Sequence, residues 1–287
     1  MPNFEIITDS CCDLPQDMLE KLNLTVIPLN LLFRGQTQVD SVSGDMGTFY
    51  DALRAGEAAS TSAVNPEGWA SMIEPVLQKG KDALVIAFSS GLSTTYQSAV
   101  IAANELKERY PDRKVNVVDS LSASLGQGLL VWYACKKRDE GMDLDALTAW
   151  VEESKPNLCQ WFTVDDLMYL KRGGRVSAAT ALVGTMLKIK PVLHVDDEGK
   201  LINVGKVRGR KASIDALADK VVELGLPGQN DFITICHGDC LEDAQYLEKT
   251  LKERMGVKEV FIGYTGAVIG SHSGPGTLAV FFLGSKR

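Results

Sequence analysis

The rhythm of apolar and polar positions changes several times along the chain. Short, nearly continuous apolar runs of strand length stand at FEIITDS (4–10), ALVIAFSS (83–90) and KVNVVDS (114–120). Each is followed by a turn carrying Ser, Gly or Pro and then by residues with helical spacing. The clearest helix falls over 94–110, where Tyr96, Ala99, Val100, Ala103, Leu106 and Tyr110 recur on one face. Strands that are apolar throughout and alternate with helices predict a mainly parallel sheet with helical crossovers.

The pattern shifts near Lys155–Pro156. Beyond it, strands are expected around 192–196, 201–208, 232–236, 259–263 and 278–283, and helices near 165–171, 178–188, 212–224 and 241–255. This reads as a second α/β unit with a mixed sheet. The chain has 287 residues, long for one core, so the prediction is an α/β protein of two domains, 1–155 and 156–287. The strand-like stretch LTVIPLNLLFRGQTQVD (24–40), with the residues up to 45, fits either unit. No repeat, low-complexity tract or long linker interrupts the chain.

Composition narrows the function. With 45% hydrophobic residues the chain is globular, and a formal charge of −7 excludes broad nucleic-acid binding. The apolar runs LLVWYAC (129–135) and LAVFFL (278–283) are too short to span a bilayer. The first residues carry no basic stretch followed by a long apolar one, so a cytoplasmic monomer without stable membrane insertion is expected. Six cysteines include Cys236 and Cys240 around His237 and Asp239, but no second half of a zinc site accompanies them; buried thiols are the simpler reading, with no metal. Charge is uneven. Residues 171–211 hold ten Lys or Arg against Asp196, Asp197 and Glu198, a local balance of +7 that suits an anionic partner surface or phosphate.

Two segments concentrate hydroxyls and histidine. FSSGLSTTYQSA (88–99) places Ser89, Ser90, Ser93, Thr94 and Thr95 at a strand-to-helix turn. Ser93 stands where a helix N-cap belongs, and Thr94 with Gln97 could close a capping box. The same free amides and hydroxyls suit a carboxylate or phosphate. A nucleophile elbow is missing, and none of the three histidines sits in a triad signature, so a serine acyl-hydrolase acting on lipid or ester substrates stays only as an alternative. A phosphate or nucleotide sensor is a third reading. In GSHSGPGT (270–277), His272 stands in an expected loop of glycines and serines, which makes it a ligand candidate. Gly274-x-Gly276-x-x-Ala279 imitates a dinucleotide fingerprint but runs into a strand rather than a helix, so it is rejected.

TDSCCDLP (8–15), STSAVNP (60–66), SSGLSTTYQSA (89–99), VVDS (117–120), LKRGGRVS (170–177), KIKPVL (188–193), KVRGRKAS (206–213) and GSHSGPGT (270–277) occur in this order from end to end. So arranged, the chain resembles the DegV family of bacterial fatty-acid-binding proteins, the FakB-type subunits of bacterial fatty acid kinase. The resemblance implies a two-domain DegV-like fold with one long-chain fatty acid between the domains. It also implies no catalysis by this subunit: a separate ATP-dependent kinase subunit would phosphorylate the bound acid to an acyl-phosphate for phospholipid synthesis. Carried over by position, Thr61 and Ser93 would hydrogen-bond the carboxylate, with Thr94 and His272 beside them. Arg172, Arg175, Lys206, Arg208 and Arg210 would form the partner-docking side. The ligand would be the fatty acid alone, without cofactor. Two departures flank this site: the family usually has glycine where Thr94 stands, and Ser-Gln-Pro-Ser where Ser62-Ala63-Val64-Asn65 stands.

Overall fold

The computed structural model describes residues 3–40, 44–176 and 188–287. In chain order the first half holds β1 (Phe4–Asp9), α1 (Gln16–Lys21), β2 (Thr25–Ile27), β3 (Asn30–Phe33), β4 (Gln36–Val39), α2 (Met46–Arg54), β5 (Ala59–Ser62), α3 (Pro66–Gln78), β6 (Asp82–Ala87), α4 (Thr95–Arg109), β7 (Val115–Asp119), α5 (Leu125–Asp139) and α6 (Leu144–Ser154). The second half holds β8 (Leu158–Thr163), α7 (Met168–Arg172), β9 (Ile189–Val195), β10 (Leu201–Arg208), α8 (Arg210–Leu224), β11 (Phe232–His237), α9 (Leu241–Met255), β12 (Glu259–Tyr264), α10 (Ala267–Ser273) and β13 (Leu278–Leu283). The helix expected over 178–188 falls, but for Lys188, outside the described residues.

Three sheets result. The first, in the order β2-β1-β6-β7, is wholly parallel, with Ile7 opposite Val85 and Val85 opposite Val117. The second, in the order β10-β9-β8-β13-β11-β12, is antiparallel except between β11 and β12, so it is mixed as expected. A third, β4-β3-β5, is antiparallel. The stretch 24–40 is therefore divided, with β2 in the parallel sheet and β3 and β4 in the third. That small sheet and α2 bury Leu31, Phe33 and Tyr50 against Ala267, Tyr169 and Tyr264 of the second half.

α5 lies between the two large sheets. Its Leu125, Leu129 and Leu130 pack with Ile6 and Ile86 of the parallel sheet and with Phe162, Phe232 and Phe281 of the mixed one. Its residues from Leu125 to Cys135 are buried or half-buried on every side, which fits that central place. α3 and α4 cover the outer face of the first sheet through Trp69, Ile73, Ala99 and Leu106. α8 and α9 cover the second through Leu217, Val221, Leu247 and Leu251. The change of pattern at Lys155–Pro156 falls in a single 3-10 turn, Lys155–Asn157, that leads from α6 to β8.

Several boundaries shift for physical reasons. β6 ends at Ala87 because the next amide, Phe88 N, turns away to donate to Asp9 Oδ2 at 2.7 Å. The expected loop around His272 is instead the last turn of α10. α4 begins at Thr95, so Thr94 and not Ser93 is its N-cap residue, and the Thr94 side chain makes no capping bond. The capping box does not form.

A cavity with a hydroxyl, histidine and arginine cluster

The turn after β6 is fixed by carboxylates at the ends of its two neighbouring strands. Asp9, closing β1, accepts the amides of Phe88 and Cys11 (2.7 and 3.1 Å). Asp119, closing β7, accepts those of Ser90 and Leu121 (3.1 and 3.0 Å). The Asp-Ser strand ends thus hold the hydroxyl-rich turn in place. Ser89 is spent internally: its hydroxyl donates to Gly199 O at 2.8 Å and accepts from Gly91 N at 3.1 Å. The β9–β10 turn sits so close that a Cβ on Gly91 would meet Glu198 O at 2.7 Å, and one on Gly199 would meet Ser89 Oγ at 2.1 Å. Only glycine allows these two turns to touch.

Above this junction, beyond the carboxyl ends of the parallel strands, lies a cavity of about 450 Å³, within the range of small-molecule sites. Thr61, Ser93, Thr94, Arg175 and His272 all line it. Thr61 Oγ1 lies 2.8 Å from His272 Nε2. Ser93 Oγ accepts the Thr95 amide at 3.2 Å and lies 2.8 Å from Thr95 Oγ1. Arg175 Nε donates to Leu92 O at 3.1 Å, and its Nη1 donates to Gly173 O. Gly173 in turn passes directly beneath the imidazole: a Cβ there would lie 2.3 Å from His272 Nδ1. Thr61 comes from β5, Ser93 from the turn before α4, Arg175 from just beyond α7 and His272 from α10.

The rest of the wall is effectively apolar. Phe88, Ala123, Phe162, Leu201, Ala279 and Phe281 supply most of it. Of its polar members, Gln160 accepts from Ser122 Oγ at 2.7 Å and donates to Leu121 O at 3.1 Å, Ser124 donates to Asp13 and Thr277 donates to Gly274 O, whereas the buried Thr265 and Ser273 hydroxyls have no partner among the described residues. Burial pushes the Cys236 thiol up to about 12, so it lines the cavity as a small neutral hydrophobe.

α10 is held by a buried carboxylate. Asp40 accepts from Val268 N at 3.1 Å and from Ser10 Oγ at 2.8 Å. Burial, followed by repulsion from Arg175, lowers His272 to about 4, so its ring is neutral near pH 7. In the Nε2–H tautomer, that neutral ring donates to Thr61 Oγ1 and leaves the Thr61 hydroxyl proton free to point into the cavity. When the Thr95 hydroxyl is the donor of its pair with Ser93, it serves Ser93 in the same way. Two hydroxyls, each with a donor-capable group behind it, line one space with a guanidinium, an arrangement that suits an anion.

It is a poor arrangement for a nucleophile. The imidazole lies on Thr61 rather than on Ser93, and a ring held near 4 is a weak base. Among the described residues no carboxylate orients it. The serine hydrolase alternative therefore lacks its geometry.

The expected site residues divide into three groups. Thr61, Ser93, Thr94 and His272 meet around one cavity. Arg175, expected on the docking side, stands in the cavity wall, so the headgroup cluster includes a cation after all. Lys206 and Arg208 are exposed on one face of β10, but Arg210 leaves the strand. It opens α8 and is paired inward, with Asp243 at 2.7 Å and Asp165 at 3.6 Å. Arg172 is exposed, its guanidinium over the Tyr169 ring at 4.5 Å. Of the two departures, Thr94 lines the cavity, and in the other Ala63 lines the cavity, Val64 joins the core around Trp69, and Asn65 caps α3 by accepting Gly68 N at 2.8 Å.

A model of the DegV family, described as uncharacterised proteins, matches residues 3–285. A DegV domain-containing protein of Clostridium perfringens is 43% identical over 289 residues, covering 100% of this chain and 99% of that protein. The chain belongs to the DegV family. The fold agrees with solved DegV structures. A DegV family protein from Thermus thermophilus that binds fatty acid has a TM-score of 0.87 at 32% identity, covering 98% of this chain and 99% of that one. DegV of Bacillus subtilis, a fatty-acid-binding protein, has a TM-score of 0.84 at 29% identity, covering 99% of this chain and 100% of that one. Among the described residues, no helix is long and apolar enough to cross a membrane.

Proposed function

We propose that this DegV protein binds one long-chain fatty acid in the cavity and presents its carboxylate to a separate kinase, without catalysing a reaction itself. The carrying observation is one cavity with apolar walls that ends in a cluster of Thr61, Ser93, Arg175 and His272. Fatty-acid binding by the Thermus and Bacillus relatives supports the same reading.

Energetics favour a lipid. Burying about fifteen methylenes at ~0.8 kcal/mol each is worth on the order of 10 kcal/mol before the costs of association. That is enough to carry a carboxylate inside, provided its oxygens are hydrogen-bonded. Thr61 and Ser93 donate to it, and Arg175 offsets its charge. Neutral His272 keeps the Thr61 proton pointing forward. In the partner's reaction, a carboxylate oxygen would attack the terminal phosphorus of a nucleoside triphosphate, and the bond to the departing diphosphate would break. The exposed Lys206, Arg208 and Arg172 suit a docking surface for an acidic partner face. A cytoplasmic monomer serves such a shuttle, since its load must be handed over in water.

Organic extraction of the purified protein followed by mass spectrometry tests the reading. A fatty acid at one per chain is expected; an empty protein or a bound nucleotide overturns it.

A further inference from the structure

The cavity wall carries polar atoms that a plain alkyl chain cannot use. Thr265 and Ser273 line it, both are buried, and neither hydroxyl has a hydrogen-bond partner among the described residues. Buried hydroxyls are almost always bonded, so each of these calls for a partner. Ser273 follows His272 directly and stands at the headgroup end. Thr265 does not: α10 runs between it and that end, about 10 Å of helical rise. Its backbone is fully used, the amide by His237 O at 2.9 Å and the carbonyl by the Tyr50 hydroxyl at 2.7 Å. Only its hydroxyl is left over.

Two further residues of this wall stand beside it, Ser124 and Cys236. Burial raises the Cys236 thiol, and the neighbouring Ser124 and Thr265 hydroxyls pull it the other way. A thiol is a weak donor and a weak acceptor, so it does not satisfy a hydroxyl. Ser124 donates to Asp13 and keeps its own lone pairs. It does so from a strained backbone, φ 53° and ψ −145°, close to a region that glycine normally occupies. The wall thus offers a free donor at Thr265 and a free acceptor at Ser124 beside one thiol. A hydroxyl, which donates and accepts at once, can use both.

We propose that Thr265 and Ser124 form a subsite for a hydroxyl partway along the acyl chain, so that the cavity takes hydroxylated long-chain fatty acids in preference to plain ones. This rests on the fatty-acid reading above and narrows its ligand class. The chain hydroxyl would accept from Thr265 Oγ1 and donate to Ser124 Oγ, while the carboxylate stays at Thr61, Ser93 and Arg175. The sign of the effect separates two kinds of wall. Against an apolar wall a chain hydroxyl loses its water and weakens binding. Against a matched donor and acceptor it recovers its hydrogen bonds and satisfies a buried protein group as well.

The test is calorimetric titration with stearic acid and with hydroxystearic acids carrying the hydroxyl beside the carboxylate, near mid-chain or beside the methyl end. The wild type is expected to bind the mid-chain isomer about three- to tenfold more tightly than stearic acid, the yield of a neutral hydrogen bond. The other two isomers should bind no more tightly than stearic acid. Thr265→Val keeps the outline of the side chain and its backbone bonds, so stearic acid affinity should stay within about twofold while the mid-chain preference disappears. Thr265→Ser should keep the preference. A wild type that binds stearic acid at least as tightly as every hydroxy isomer overturns the subsite and leaves the fatty-acid reading in place. A mid-chain preference that survives in Thr265→Val overturns the assignment to this wall. Failure of the wild type to bind any of these acids overturns the fatty-acid reading as well. The isomer comparison needs no variant, so a misfolded Thr265→Val would not blunt it.

Discussion

Thr61 and Ser93 share a chemical trait that neither residue type supplies alone: each hydroxyl oxygen is within 2.8 Å of a donor-capable group behind it, His272 Nε2 for one and Thr95 Oγ1 for the other. Thr61→Val or Ser93→Ala should therefore weaken fatty-acid binding by roughly 1.5–3 kcal/mol, since the lost donor serves a charged acceptor. The fold should survive, since Ser93→Ala removes a single helix-start bond, that from the Thr95 amide. Calorimetric titration checks this, and unchanged affinity in both variants would remove these hydroxyls from the headgroup site. Asp9 allows a different prediction. Burial raises its carboxyl to about 6 from 3.8, against the pull of the Phe88 and Cys11 amides. A raised acid contributes stability that is present below the unfolded pKa and lost as pH rises through the folded one. The window is about pH 4 to 6, and a shift of about two units corresponds to about 3 kcal/mol. Urea denaturation across that range should show stability falling with pH in the wild type and a flatter profile in Asp9→Asn. Asp13 and Asp40 are raised in the same direction and will keep some slope. Parallel profiles for the two proteins would refute the assignment.

At the scale of elements, the strands of the parallel sheet and most of the mixed sheet were legible because they are continuous apolar runs or alternate clearly. β5 (ASTS) was not, since its polar residues give no hydrophobic signal and it is a strand only by pairing with β3. β8 (LCQWFT) is buried throughout, which erases the alternation that would have marked it. The candidate site was legible to the extent that hydroxyls and a histidine gather in short segments. Arg175 was missed as a wall residue because its place depends on Gly173 and the Leu92 carbonyl, contacts between segments distant in sequence. Arg210, expected on the docking side with Lys206 and Arg208, lies past the end of β10 as the first residue of α8, where Asp243 pairs it inward. The contact between the turns at Gly91 and Gly199 was equally hidden, and it can be tested. Gly91→Ala would put a Cβ 2.7 Å from Glu198 O and the Gly199 backbone. Backbone cannot yield cheaply there, so a loss of about 1–3 kcal/mol in unfolding free energy is expected. Fatty-acid affinity should fall as well, because Val195 and Leu201 of the displaced hairpin line the cavity. A variant as stable as the wild type and as tight a binder would show that the turns merely adjoin.

For the whole molecule, carrier and store differ in surface. A store needs no docking face, whereas a carrier must meet a partner. Exposed charges mainly speed association and make it salt-dependent. Reversing Lys206 and Arg208 to Glu should leave fatty-acid affinity intact, slow partner-dependent acyl-phosphate formation and reduce its salt dependence. Arg210 is unsuited to this experiment, since its bond to Asp243 would be broken too. Wild-type rates for the double variant across a salt series would leave these side chains as a solvated strand face. The cavity itself has walls from the parallel sheet's turns, from β5 and α10, and from β8, β10 and β13 of the mixed sheet. A ligand there touches elements of all three sheets and so binds only the native arrangement. Free ligand at a hundred times its Kd would then add about 2.7 kcal/mol to stability, making openings about a hundredfold rarer. Where proteases cleave only opened chains, that factor is a lifetime. The loaded protein should outlast the emptied one in limited thermolysin digestion, so that delivery of its cargo also marks a molecule for earlier removal.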